Sequence, residues 1–272
     1  MKTQVKKVNN LALTIFGSDE NSFMITNTLI VKEGHAVLVG TAFTQKDANE
    51  IASHIKDNGY VLDSVYLLHG DPDYYFGLET IKHYFPEVVA YATQSTFTHI
   101  TESVKGKLDA WSDALGDQLP NNIVLPKIVQ DYSFEIFGDK WEIVGDDSSR
   151  TSLWYPKDKI LVGGIDTFNE INIFLADTAT LEGLAQWKHR LQSLIELDPV
   201  LVIPSHGSLE KSFDKDALAF TVNYLTVAEE AMQKATDSSS FITLMTESFP
   251  GLENTGVLSL SAKVVMKEIP WG

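Results

Sequence analysis

Four short polar stretches carry the residues that could do chemistry, and each follows an apolar run. The first is "VYLLHGDPDYYFG", in which His69, Asp71 and Asp73 alternate along the chain. Alternate residues leaving a strand project to one side, so an imidazole and two carboxylates are placed to converge on a cation. Gly70 and Pro72 supply reasons for a tight turn, the one permissive and the other fixed in φ. The competing reading is an acidic loop, in which His69 ends the strand and the aspartates accept hydrogen bonds from their own backbone. The second stretch, "LVIPSHGS", presents His206 at a glycine turn as a metal ligand or proton-transfer group. The third, "VGDDSSRTSLWYP", places Asp146 and Asp147 in a polar turn, and the fourth, "LVGGIDTFNE", places Asp166 after another buried run. Sites of α/β folds lie just beyond strand ends, so the repetition of this placement says more than any single motif.

The remaining histidines, His35, His54, His83, His99 and His189, lack ligand spacing and read as surface or internally satisfied groups. Trp111, Trp154, Trp187, Phe168 and Phe174 read as core, although Phe168 and Phe174 flank the segment after Asp166 and are placed to line a pocket mouth. There is no Gly-x-Ser-x-Gly turn, no phosphate-cradling glycine loop and no His-Glu-x-x-His helix.

The elements that must position these groups alternate between strand and helix patterns. Apolar or β-branched runs at 11–16, 23–31, 35–40 and 61–68 read as strands. Between them, "TQKDANEIASHIKDNG" reads as a helix capped by Thr44, with Ala48, Ile51, Ala52 and Ile55 on one face and Asn58-Gly59 at its end. A helix stopped by Pro86, a strand "EVVAYA" and a long helical stretch from 93 to 116 follow. Strand signals return from 129 to 164, then a helix from 180 to 197, the strand "PVLVIP" and a helical C-terminal segment over 210–272. With no linker or repeat, one domain over 1–272 is expected, an α/β fold with sheets in its core.

A chain of 272 residues with 44% hydrophobic and 21% charged residues can bury a substantial core. Its net charge of −16 argues against nucleic acid and anionic membranes as partners, which leaves a small molecule. The absence of cysteine removes disulfides, thiolate zinc sites and thiol nucleophiles. No signal peptide or spanning run is evident, so a cytoplasmic location is expected.

In this order the motifs resemble the metallo-β-lactamase-fold hydrolase superfamily, over about residues 10 to 210. That family's signature is His-x-His-x-Asp-His with a glycine three residues on. His69 falls on the first histidine, Asp73 on the aspartate and Gly77 on the glycine, while His206 falls on the histidine of a terminal Pro-Gly-His-Gly element. The segment "KILVGGIDTFNEINIFLAD" is similar to one that reads Leu-Phe-x-Gly-Asp and then an aromatic-Asn pair, which brings in Asp166, Phe168 and Asn172 as pocket residues. The resemblance implies a four-layer αββα sandwich with a one- or two-metal site at the sheet edge.

The departures are severe. Asp71 stands for the second histidine, Tyr74 for the third, Asp146 or Asp147 for a histidine near 145, and Ile165 for the bridging aspartate. The resemblance therefore implies a hydrolase with an altered, mononuclear site for zinc, manganese or iron, or else no metal at all. The ligands would come from His69, Asp71, Asp73, Asp146 and His206, and Asp73, His206 and Tyr74 would be the catalytic groups. Its substrate would be a small ester, lactone, thioester or amide. The alternative is an inactive pseudo-enzyme that binds a small molecule or partner in the former metal pocket.

Overall fold

The computed structural model describes residues 1–271. Strands β1 (Lys2–Val8), β2 (Leu11–Gly17), β3 (Thr26–Lys32) and β4 (His35–Val39) form an antiparallel meander. Helix α1 (Gln45–Asp57) crosses to β5 (Val61–Leu67), which pairs in parallel with β4. A helical turn, α2 (Pro72–Tyr75), and α3 (Leu78–Tyr84) lead to β6 (Val89–Ala92), and α4 (Gln94–Leu115) leads to β7 (Lys127–Ile128). These strands make a seven-stranded sheet in sequence order. Then come β8 (Ser133–Ile136), β9 (Asp139–Val144), β10 (Ser152–Tyr155), β11 (Ile160–Val162), β12 (Phe168–Asn169), α5 (Leu181–Glu196), β13 (Leu201–Ile203) and β14 (His206–Gly207). The second sheet runs β13-β11-β10-β9-β8, and β12 pairs separately with β14. Helices α6 (Asp216–Lys234), α7 (Ser238–Ser248) and α8 (Thr255–Val265) complete the chain.

Three apolar layers hold the sandwich together. Leu13, Ile15, Ile30, Val37 and Tyr66 of the first sheet meet Trp141, Ile143, Leu153, Tyr155 and Ile203 of the second. Outside the first sheet, Leu29, Leu38, Val65 and Leu67 pack on Ile51, Ala52 and Ile55 of α1 and on Ile81 and Ile100. Outside the second, Trp154, Leu161 and Val202 pack on Leu184, Trp187, Leu191, Tyr224, Phe241 and Leu258. This is the αββα order, and the C-terminal helices share the core of the second sheet.

Local rules account for these elements. Thr44 caps α1 by accepting from the Asp47 N–H, and Ala48, Ile51, Ala52 and Ile55 are its buried face, as their spacing dictates. Ile51 and Ile55 each contribute about 1.5–3 kcal/mol when fully buried, and the two alanines less. The first strand is a difference from expectation: "KTQVKKV" is polar at most positions because β1 is an edge strand with an exposed face. The run at 23–31 becomes a strand only from Thr26, because Phe23 and Met24 sit at φ values of 55° and 54° after a short turn at Glu20–Ser22.

Candidate metal centre

Strand β5 delivers His69 at its C-terminal end, 6% exposed. The Asp71 N–H donates to His69 Nδ1 over 3.2 Å, and Asp71 Oδ2 stands 3.2 Å from the same nitrogen. At Pro72 the periodicity changes. The chain enters α2, so Asp73 leaves the side that His69 and Asp71 share. Its carboxylate instead reaches His206, with 2.9 Å between Oδ2 and Nε2. The alternation expected of His69, Asp71 and Asp73 therefore holds only for the first two.

Helix α4 supplies what closes the first group. His99, set aside in the sequence as a satisfied histidine, stacks edge-on against His69 with ring centroids 5.1 Å apart. His69, Asp71 and His99 each offer a ligand atom, all within 4.8 Å of one another. Gly70 makes this approach feasible, since a Cβ there would meet His99 atoms at 2.8 Å. Gly77 is constrained in the same way, because a Cβ would lie 1.8 Å from the Thr41 carbonyl oxygen.

A second side chain of α4 sits among these donors. Lys107 Nζ donates to the Gly70 carbonyl at 2.9 Å and to Asp71 Oδ1 at 2.7 Å, and lies 3.0 Å from His99 Nε2. Burial acts to raise the Asp71 carboxyl, but the His69 imidazole and the Lys107 ammonium outweigh it and hold it well below the usual carboxylate range. Burial, and then the charge of Lys107, lower His99 to about 4, so its ring is neutral at physiological pH and can accept. Neither His99 nor Lys107 carried a local motif. The available signal was their eight-residue spacing on a helix, which puts them on one stripe.

The other expected residues are placed apart from this cluster. His206 lies between Asp73 and Ser205, whose Oγ is 3.0 Å from Nδ1, and Phe168 stacks on the ring at 5.0 Å and 14°. Tyr74 is buried, and its hydroxyl has no hydrogen-bond partner among the described residues. Burial, then the Asp73 charge, keep that phenol protonated. It borders a cavity of about 10 Å³ shared with Ser205 and Gly163, room for about one water. Asp166 is 2% exposed and paired with two arginines: Arg150 Nη1 at 2.7 Å, and Arg190 through Nε at 2.6 Å and Nη2 at 3.1 Å. Asp146, expected as a ligand, instead accepts from Ser193 Oγ at 2.7 Å and lines an open groove beside α5, because its turn faces that helix and not β5. Asn172, expected in the pocket, accepts from Tyr224 and donates to the Leu252 and Glu253 carbonyls, a tie to the C-terminal segment.

These groups sit at the sheet ends of an αββα sandwich, and the fold is that of the metallo-β-lactamases. The DIM-1 metallo-β-lactamase is 20% identical, with a TM-score of 0.56 over 84% of this chain and 99% of that one. A metallo-β-lactamase from Pontibacter korlensis is 20% identical, with a TM-score of 0.59 over 83% and 99%. The mono-zinc form of FIM-1 from Pseudomonas aeruginosa is 16% identical, with a TM-score of 0.59 over 84% and 97%. No protein-family model and no curated protein matches the sequence.

The fold implies a metal, and the donor set can be tested for one. His69, Asp71 and His99 are close enough to hold a single ion, but Asp71 Oδ1 and His99 Nε2 already face the Lys107 ammonium. At the neighbouring position, Asp73 and His206 hold each other beside a protonated phenol, a poor ligand. The residues as arranged do not fit a resident metal.

Proposed function

We propose that this chain keeps a hydrolase fold without metal-dependent hydrolysis and acts as a binding protein. The observation that carries this reading is the position of the Lys107 ammonium among the donors of His69, Asp71 and His99, where it supplies the positive charge they require. Asp73 and Asp166, which could have served a second ion, are each committed to protein partners. The ligand would be a small molecule or partner with an apolar part. Trp111 shares the α4 stripe of Lys107 and packs on Phe23 at 5.4 Å; Phe23 in turn meets Phe174, 6.4 Å away. The test is elemental analysis of protein purified in the presence of zinc, manganese and iron, together with hydrolysis assays on esters, lactones, thioesters and amides. The expectation is no stoichiometric metal and no turnover that a chelator abolishes; one bound ion per chain with chelator-sensitive turnover would overturn the reading.

A mononuclear hydrolase is the second reading, favoured by the 4.8 Å grouping of His69, Asp71 and His99. It requires Lys107 to swing away, after which a zinc, manganese or iron ion on those residues would supply activated water for a small acyl substrate. Asp73 and His206 stay outside that ligand set, since each is the other's partner.

A further inference from the structure

The ammonium at the centre of the cluster has the geometry of a designed occupant. It meets three acceptors, the Gly70 carbonyl, Asp71 Oδ1 and His99 Nε2, at 2.9, 2.7 and 3.0 Å. An ammonium has three protons and no lone pair, so this set uses all of its donors. Eight residues of helix rise about 12 Å, and helical side chains lean toward the N-terminus, so a lysine two turns beyond His99 spans the gap with its extended stem. The site that receives the head is prepared in advance. Gly70 lets His99 approach, and the Asp71 side chain is mostly covered, in surroundings where an unpaired charge is costly.

We propose that Lys107 is the resident cation of this centre, tethered where a divalent ion would otherwise sit, and that its removal turns His69, Asp71 and His99 into a mononuclear divalent-metal site. Two imidazoles and one carboxylate make a borderline donor set that suits zinc and cobalt better than magnesium or calcium. Exclusion of metal by the wild-type protein is then competition between a covalently attached monovalent charge and a free divalent one. The attached charge wins because its local concentration is fixed by the helix. The inference rests on the metal-free reading above, yet the two fail by different results.

The experiment is titration of Lys107→Met with cobalt(II) and with zinc, alongside the wild type, Lys107→Arg and the double variant Lys107→Met/His99→Ala. Lys107→Met is expected to retain about one ion per chain after dialysis, to show visible cobalt d–d absorption and to gain several degrees in melting temperature with zinc. Wild type and Lys107→Arg, which keep the cation, are expected to show none of these, and the double variant is expected to lose them. A cooperatively melting Lys107→Met that takes up no metal overturns the inference while leaving the binding-protein reading intact. Metal retained by the wild type overturns both. If Lys107→Met does not fold, the wild type decides the matter through the Lys107 Nζ proton resonance: its persistence at neutral pH with an equivalent of zinc supports the inference, and its loss overturns it.

Discussion

Two carboxylates, one partly and one fully buried, mark the ends of the two sheets and are satisfied in opposite ways. Asp71, beyond β5, faces one flexible ammonium and two imidazoles, and its side chain is 21% exposed. Asp166, beyond β11, is 3% exposed on the side chain and gripped by Arg150 and by a two-pronged contact from Arg190, with Arg150 also lying over the Trp187 ring at 5.4 Å. A guanidinium is a rigid planar donor matched to a carboxylate, whereas an ammonium is a point charge on a mobile stem. The Asp166 cluster is therefore architecture. The Asp71 cluster instead gathers a carboxylate and two imidazoles around a single ammonium on a mobile stem.

That contrast can be broken from either side. Asp166→Ala leaves two guanidinium groups unpaired in a buried place and is expected to cost about 3–5 kcal/mol, measured by denaturant unfolding. A loss below about 1 kcal/mol would remove the distinction between the two carboxylates. Gly70→Ala is expected to cost about 1–3 kcal/mol, since the added methyl meets the His99 ring at 2.8 Å. The same change should widen the His69–His99 approach, and an unchanged crystal geometry would refute the role given to this glycine. The smallest effect concerns pH. His99 titrates near 4 when folded against an ordinary 6.5, so its neutral form is favoured by folding; the stability gained is complete above about 6.5 and is lost as pH falls through about 4. The depressed Asp71 adds little in that window, because its contribution begins to be lost only as pH approaches its ordinary 3.8. The melting temperature of the wild type should thus fall between pH 7 and pH 4 more than that of His99→Gln; equal slopes would show that His99 is not held neutral.

How much of this was legible in the sequence depends on the range of the interaction. Helix α1 was readable to its cap and buried face because capping and periodicity are local. The sandwich followed from the family resemblance that the motifs carry, and the structure has that fold, with His69 just beyond β5 and His206 in β14. The partners were not readable. Asp73 left the common side because Pro72 starts a helical turn, a change of period inside a five-residue motif. His99 and Lys107 lie on a helix whose polar face looks ordinary, and only docking of α4 over Gly70 gives them a site. Arg150 and Arg190 could not be tied to Asp166 by spacing, since they come from a turn and from α5.

The Asp73–His206 pair joins residues 133 positions apart, one from the first sheet's half of the chain and one from the second's. Closing so long a segment has an entropic cost that no contact local to either residue offsets. It forms when the two sheets dock, as His206 also bridges Ile25 and pairs through β14 with Phe168. The His206 ring, in contact with both halves of the chain, is accordingly a natural reporter of sheet docking.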